Sequence, residues 1–183
     1  MKHPSRIRLW EPLILFAFIA VAIFYLVNAL NTQDWFWFRS TVTDIEPTRI
    51  VVVHDGQEET LIPGHPEFAS LAAAAEVSLQ DLSNTDLINL DISSETAAYY
   101  ENEGVLLELY FDRPLKFHTT YRTGDPTQLL IPIEGRHAGN GYFFRGQEGE
   151  WWFGAMRMAN PAELLDTMTE MGYPVDRGAG AAN

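Results

Sequence analysis

The 183-residue chain contains no cysteine. This excludes disulfides, thiolate metal sites and cysteine nucleophiles, but it leaves the compartment open, because a domain of ordinary size needs no cross-link. Positive charge is scarce too. Twelve Lys and Arg stand against 25 Asp and Glu, a formal net charge of −13. So acidic a chain is a poor partner for nucleic acid, whose phosphates demand cations. Chemical signatures are also missing. There is no HExxH, no Asp-rich calcium loop and no GxSxG elbow. His54, His65, His118 and His137 are not spaced as ligands from one helix or strand. Gly135, Gly139 and Gly141 recreate a phosphate loop in composition only. No helix start follows them, so a hairpin connection is expected there. No metal and no cofactor is implied, and no catalytic residue is assigned.

Against these absences stands one long apolar run, residues 12–30, PLILFAFIAVAIFYLVNAL. Only Asn28 in it is strongly polar. At helical rise its last eighteen residues, Leu13 to Leu30, reach roughly 27 Å, close to the hydrocarbon thickness of a bilayer. A secretory signal has a similar outline, and Val27-Asn28-Ala29 is a tolerable cleavage site. Two features favour an uncleaved anchor. The run exceeds the usual signal core of about 7–15 residues. Trp35, Phe36, Trp37 and Phe38 follow it directly before Arg39, a composition suited to the membrane interface or to the start of the domain's own core.

Charge sets the orientation. Lys2, Arg6 and Arg8 precede the run with only Glu11 against them, while from Asn31 onward nine Arg and Lys oppose 24 Asp and Glu, a net −15. The positive-inside bias predicts a cytoplasmic N terminus and an extracytoplasmic domain, periplasmic or on the cell surface. The same acidity discourages the domain from lying flat on anionic headgroups.

The expected organisation is a basic flank over 1–11, a transmembrane helix over 12–30, an aromatic interface linker over 31–47, an α+β domain over 48–175 and a flexible tail over 176–183. About 150 residues outside the membrane suit one domain. Residues 48–54 are β-branched and apolar, Asp55-Gly56 is a tight-turn signal, and residues 59–62 return as a hairpin. Pro66 starts a helix whose Phe68, Leu71, Ala72, Ala75 and Leu79 share a face. Residues 87–90 are a short strand candidate. Ser93 or Ser94 caps a short helix stopping at Gly104.

Residues 105–112 and 115–122 then alternate with period two. A three-residue loop, Arg113 to Leu115, would pair Phe111 with Phe117 and Asp112 with Lys116, whereas a two-residue loop would set Phe111 against Lys116. The first register satisfies both faces. Residues 127–133 form a further strand with Pro132 at an edge or bulge. Aromatic strands over 142–145 and 150–153 flank Gly146 to Gly149, and Asn160-Pro161 starts a last helix carrying Leu164, Leu165, Met168 and Met171. Gly56-Gln57-Glu58 and Gly146-Gln147-Glu148 echo each other, as a duplicated unit or by coincidence. The fold class is therefore α+β: one transmembrane helix, then a mainly antiparallel sheet with two or three helices on one face.

Two groups are candidate partner contacts. Lys116, His118 and Arg122 line the polar face of the 115–122 strand, as a docking line, an anion site, or charges neutralised by Glu108 and Asp112 across the hairpin. Trp151 and Trp152 are adjacent, so their rings point to opposite faces, one into the core and one to be exposed or covered by the Pro161 helix. The expected function is non-enzymatic: an accessory or assembly subunit of a larger membrane complex, of respiratory or photosynthetic type, whose partners are the bilayer and other subunits. One alternative is an anchored regulator of a sensor or cell-envelope enzyme. Another is a glycan-binding or glycan-cleaving module, which demands a cleft joining Trp151 or Trp152 to a carboxylate.

Overall fold

The computed structural model describes residues 10–178. One long apolar helix leads into a mostly antiparallel sheet domain with three further helices. Helix α1 (Trp10–Thr32) is long and apolar enough to cross a membrane, and of its side chains only Ala29 is buried. The basic flank and the last residues of the tail lie outside the described residues. The elements that follow are β1 (Thr41–Thr43), β2 (Arg49–His54), β3 (Gln57–Leu61), α2 (Phe68–Leu79), α3 (Ser94–Tyr100) and β4 (Val105–Tyr110). They continue with β5 (Lys116–His118), β6 (Gln128–Glu134), β7 (Tyr142–Gln147), β8 (Glu150–Trp151), β9 (Met156–Arg157) and α4 (Ala162–Glu170). The main sheet runs β3-β2-β4-β6-β7-β8, with β9 also on β7, and every pairing is antiparallel.

Local chemistry explains the hairpins. Asp55 (φ 48°) and Gly56 (φ 72°) both occupy the left-handed region, the geometry of a two-residue turn between twisted strands. His54 therefore pairs with Gln57. At the other end, Glu148 (φ 54°) and Gly149 (φ 84°) make a second two-residue turn. The two Gly-Gln-Glu triplets are out of phase, since Gly56 sits in its turn while Gly146 is still paired in β7. Pro132 lies in the interior strand β6 at a bulge, where the register jumps from Val105↔Glu134 to Leu106↔Pro132.

The sheet is covered on both faces. Ile50, Val52, Leu107, Leu109, Leu129, Ile131 and Phe143 pack under Leu71, Ala75 and Leu79 of α2 and Leu164, Leu165 and Met168 of α4. The buried Ser78 hydroxyl accepts the Leu164 N–H (3.0 Å), satisfying a helix-start donor across the α2–α4 contact. Tyr100 of α3 covers Leu106, Leu130 and Phe144 on the opposite face, with Ile88, Leu90 and Ile92 beside it. The expectation of helices on one face is corrected here. Strands β4 and β6 carry apolar side chains at successive positions, so both their faces demand cover.

The β4–β5 hairpin does not form. Both edges of β4 are taken, by β2 and β6, and β5 instead pairs with β1, joining Val42 to Phe117 and Thr41 to His118. Phe111 N–H and Leu115 N–H donate to the carbonyls of Thr127 and Pro126, steering the chain away from β4. Phe117 is buried regardless, so its burial, worth about 2–3 kcal/mol, does not choose between the pairings. The competition for the edges of β4 does. Two boundaries also shift. Val42 and Ile45, assigned to the linker, belong to the core. Asp176 and Gly178, assigned to the tail, donate to the Ile133 and Gly139 carbonyls. Residues 87–90 form no strand, only a bridge between Ile88 and Ala155.

Candidate functional site

The first candidate is the junction between α1 and the domain. Helix α1 ends because Gln33 turns left-handed (φ 60°), which lets Asp34 N–H reach back to the Ala29 carbonyl (3.1 Å). Thr32 Oγ1 donates to the Asn28 carbonyl (2.8 Å), and Arg122 Nε donates to the Asn31 carbonyl (2.6 Å). An arginine at a helix C terminus also meets the negative end of the dipole. His118 Nδ1 lies 3.0 Å from both Asp34 carboxylate oxygens, with both side chains largely covered (14% and 17% exposed). A carboxylate only accepts, so Nδ1 carries the proton in this contact. Lys116 pairs with Asp44 (3.1 Å) at the surface. All three cationic positions of the 115–122 segment thus meet groups from residues 31–44. Neutralisation by Glu108 and Asp112 is replaced, because β5 left β4. A groove of about 500 Å³ runs along the junction beside Gln33, Lys116 and Asp125.

Trp35, Phe36, Trp37 and Phe38 fold back along α1 rather than out into solvent. The Tyr25 hydroxyl donates to the Trp35 carbonyl (2.7 Å), and Phe24 meets Trp37 edge-on with ring centroids 5.9 Å apart. Phe36 meets the His118 ring edge-on at 5.6 Å, and Arg39 lies over Phe36 at 4.4 Å. Trp35, Phe36 and Phe38 remain exposed. The rings therefore gird the helix about two turns before its end.

The second candidate lies on the α3 face. Period-two alternation places Leu106, Glu108 and Tyr110 on that face, with Val53 and Glu58 on neighbouring strands. Of these, Leu106, Glu108, Val53 and Glu58 line a cleft of about 270 Å³ together with Leu130, Ile92, Ala97, Tyr100, Glu101, Gly56 and Trp151. Gly56 is required at its wall: a Cβ there would stand 2.0 Å from the Glu101 carbonyl oxygen. The Tyr110 hydroxyl donates to Glu108 (2.5 Å), and Arg49 stacks over the Tyr110 ring at 3.7 Å. Burial raises the Glu108 pKa above the ordinary carboxylate range. The Tyr110 hydrogen bond and Arg49 oppose that shift, and the charge of Glu58 adds to it.

The two tryptophans do point to opposite faces. Trp151 is half-buried beside Phe144 and Leu130. Trp152, also half-buried, rests on Gly124, where a Cβ would come within 2.6 Å of the ring. Arg145 is the feature that sequence reasoning passed over. It is buried and donates to the carbonyls of Thr123, Phe153 (3.3 Å) and Gly154 (3.2 Å), and its Nε has no partner. Burial lowers its pKa. It ties the loop after Arg122 to the loop after Trp152. Asp34, Asp44, Glu58 and Glu101 were likewise invisible as site residues, being unremarkable acids in an acidic chain, and Glu108 entered only as a counter-charge across the expected hairpin.

Among the described residues no three His, Asp or Glu side chains converge to hold a metal ion. Comparison of the chain with protein-family models, curated protein sequences and solved structures gives no match, so the functional reading rests on this geometry.

Proposed function

We propose that the protein is a single-pass membrane subunit, with its N terminus cytoplasmic and its domain outside, that acts through protein contacts as an accessory or assembly component of a larger complex. The observation that carries this reading is the junction. Asp34 and His118 pair under cover while Arg122 caps α1, so the domain is braced against the helix end instead of swinging on a linker. A braced domain presents one orientation to neighbours in the same bilayer, which suits a fixed place in an assembly. The outward-facing apolar surface of α1 and the girdle of Trp35, Phe36 and Phe38 fit the lipid contact this requires.

The test is mild detergent extraction from native membranes, native-gel separation and mass spectrometry of the band. Co-migration with the same proteins at fixed stoichiometry is expected, and loss of those partners in an Asp34→Asn, Arg122→Ala double variant would tie the association to the brace. A chain migrating alone overturns the reading. One observation favours the glycan-module alternative, because the α3-face cleft joins Trp151 to Glu58 and Glu108. Saturable binding of a neutral oligosaccharide at Trp151 would support it.

A further inference from the structure

The α3-face cleft has an unusual mixture of walls. Val53, Leu106, Leu130 and Trp151 make it apolar, yet Glu58, Glu101 and Glu108 also line it. None of these three carboxylates has an ion-pair partner among the described residues. Arg49, the cation whose charge acts on Glu108, is stacked on the Tyr110 ring and forms no ion pair among the described residues. At about 270 Å³ the cleft is smaller than the sites that enclose cofactor-sized molecules, roughly 300–1,000 Å³, and suits a single long side chain. Beside it runs β3, the sheet edge, whose outer side pairs with no strand among the described residues and whose Glu58 lines the cleft. An open edge offers main-chain groups to an extended segment.

We infer that this cleft receives a lysine or arginine side chain from an extended segment of a partner protein, its aliphatic stem on Leu106, Leu130 and Trp151 and its charged head among Glu58, Glu101 and Glu108. The inference rests on the accessory-subunit reading and names the chemistry of the partner. Long basic side chains are built for such a site, since their stems cover apolar surface while their heads seek carboxylates. The domain's net −15 selects the same sign of partner and repels acidic ones. A bound cation also offsets the repulsion between Glu58 and Glu108.

The experiment uses the full chain in zwitterionic lipid nanodiscs, with its tryptophan indoles labelled for NMR and the Trp151 signal assigned by its loss in Trp151→Phe. The probes are the capped tripeptides Leu-Lys-Leu, Leu-Arg-Leu and Leu-Gln-Leu, together with n-butylammonium and a neutral oligosaccharide. The Lys and Arg peptides should shift the Trp151 signal saturably, and the Gln peptide should not. Glu58→Gln and Glu108→Gln should each weaken binding at least about tenfold, the loss of one charge-assisted hydrogen bond, with unchanged circular dichroism. Equal binding of the Gln peptide, or no shift by either basic peptide, overturns the proposal. Equal affinity for n-butylammonium makes the cleft a small-amine site, and response to the oligosaccharide alone makes it a glycan site, so either removes the protein partner. Native purification separates the two readings. Partners retained in full by a Glu58→Gln, Glu108→Gln double variant sink the cleft inference and leave the accessory reading standing. A wild-type chain that purifies alone yet binds basic peptides sinks the accessory reading and leaves the site.

Discussion

Arg145→Met separates a positioning role for the buried arginine from an incidental one. Methionine follows the apolar stem as far as the Nε position and removes the guanidinium with its donors. Three carbonyl bonds are lost, one short (to Thr123) and two long at 3.2–3.3 Å. A charged donor bond is worth about 1.5–3 kcal/mol and long ones fall at the low end, so the loss is roughly 5 kcal/mol. Removing the guanidinium also removes its own desolvation cost, including the unpartnered Nε, which returns about 2 kcal/mol. The net expectation is destabilisation by about 3 kcal/mol, a substantial fraction of a typical stability of about 5–15 kcal/mol. Arg145→Ala adds a cavity and should cost about 4 kcal/mol. Urea unfolding of the full chain in detergent, followed by near-ultraviolet circular dichroism, measures both. Amide exchange should quicken in residues 121–126 and 152–154, which the guanidinium joins. An Arg145→Met variant with an unchanged midpoint and unchanged exchange in both loops would refute the reasoning, because desolvation would then have cancelled every carbonyl bond.

Three further outcomes are expected. Gly56→Ala must hold a left-handed alanine and push its Cβ into the Glu101 carbonyl, so thermal melting should show a loss of at least about 2 kcal/mol. Glu108→Gln should stabilise the chain at neutral pH. The folded pKa is raised, so the native state binds the proton more tightly than the unfolded one and wild-type stability falls as pH rises through that range. The advantage of the Gln variant should therefore fade on acidification below the ordinary Glu value of about 4.3, and melting curves at pH 7 and pH 4 check it. Asp34→Asn with Arg122→Ala should leave the domain's melting within about 1 kcal/mol while quickening amide exchange in the last turn of α1. Protection unchanged in that turn would mean that the helix end holds itself.

The long apolar helix was decided by the sequence alone, because length and apolar side chains are all that a helix able to cross a bilayer requires, and residues 12–30 supply both. The same holds for the Asp55-Gly56 turn, the Ser93 cap (Thr96 N–H to Ser93 Oγ, 3.2 Å) and the Asn160 start of α4 (Ala162 N–H to Asn160 Oδ1, 3.1 Å), each set by residues within four positions of one another. What needed the tertiary structure was every choice between distant partners. The alternation of residues 105–112 and 115–122 satisfies a hairpin locally, but β2 and β6 occupy both edges of β4, and β5 joins β1, pairing Phe117 with Val42, 75 residues earlier. That choice turned His118 and Arg122 toward the helix end, where Asp34 and the Asn31 carbonyl met them. It likewise left Glu108 free to share a cleft with Glu58 and Trp151, residues that only the strand order of the sheet brings to one face. Pair chemistry is short-range, so a chain can write its turns, caps and long apolar helix locally, while its sites depend on which strands win their neighbours.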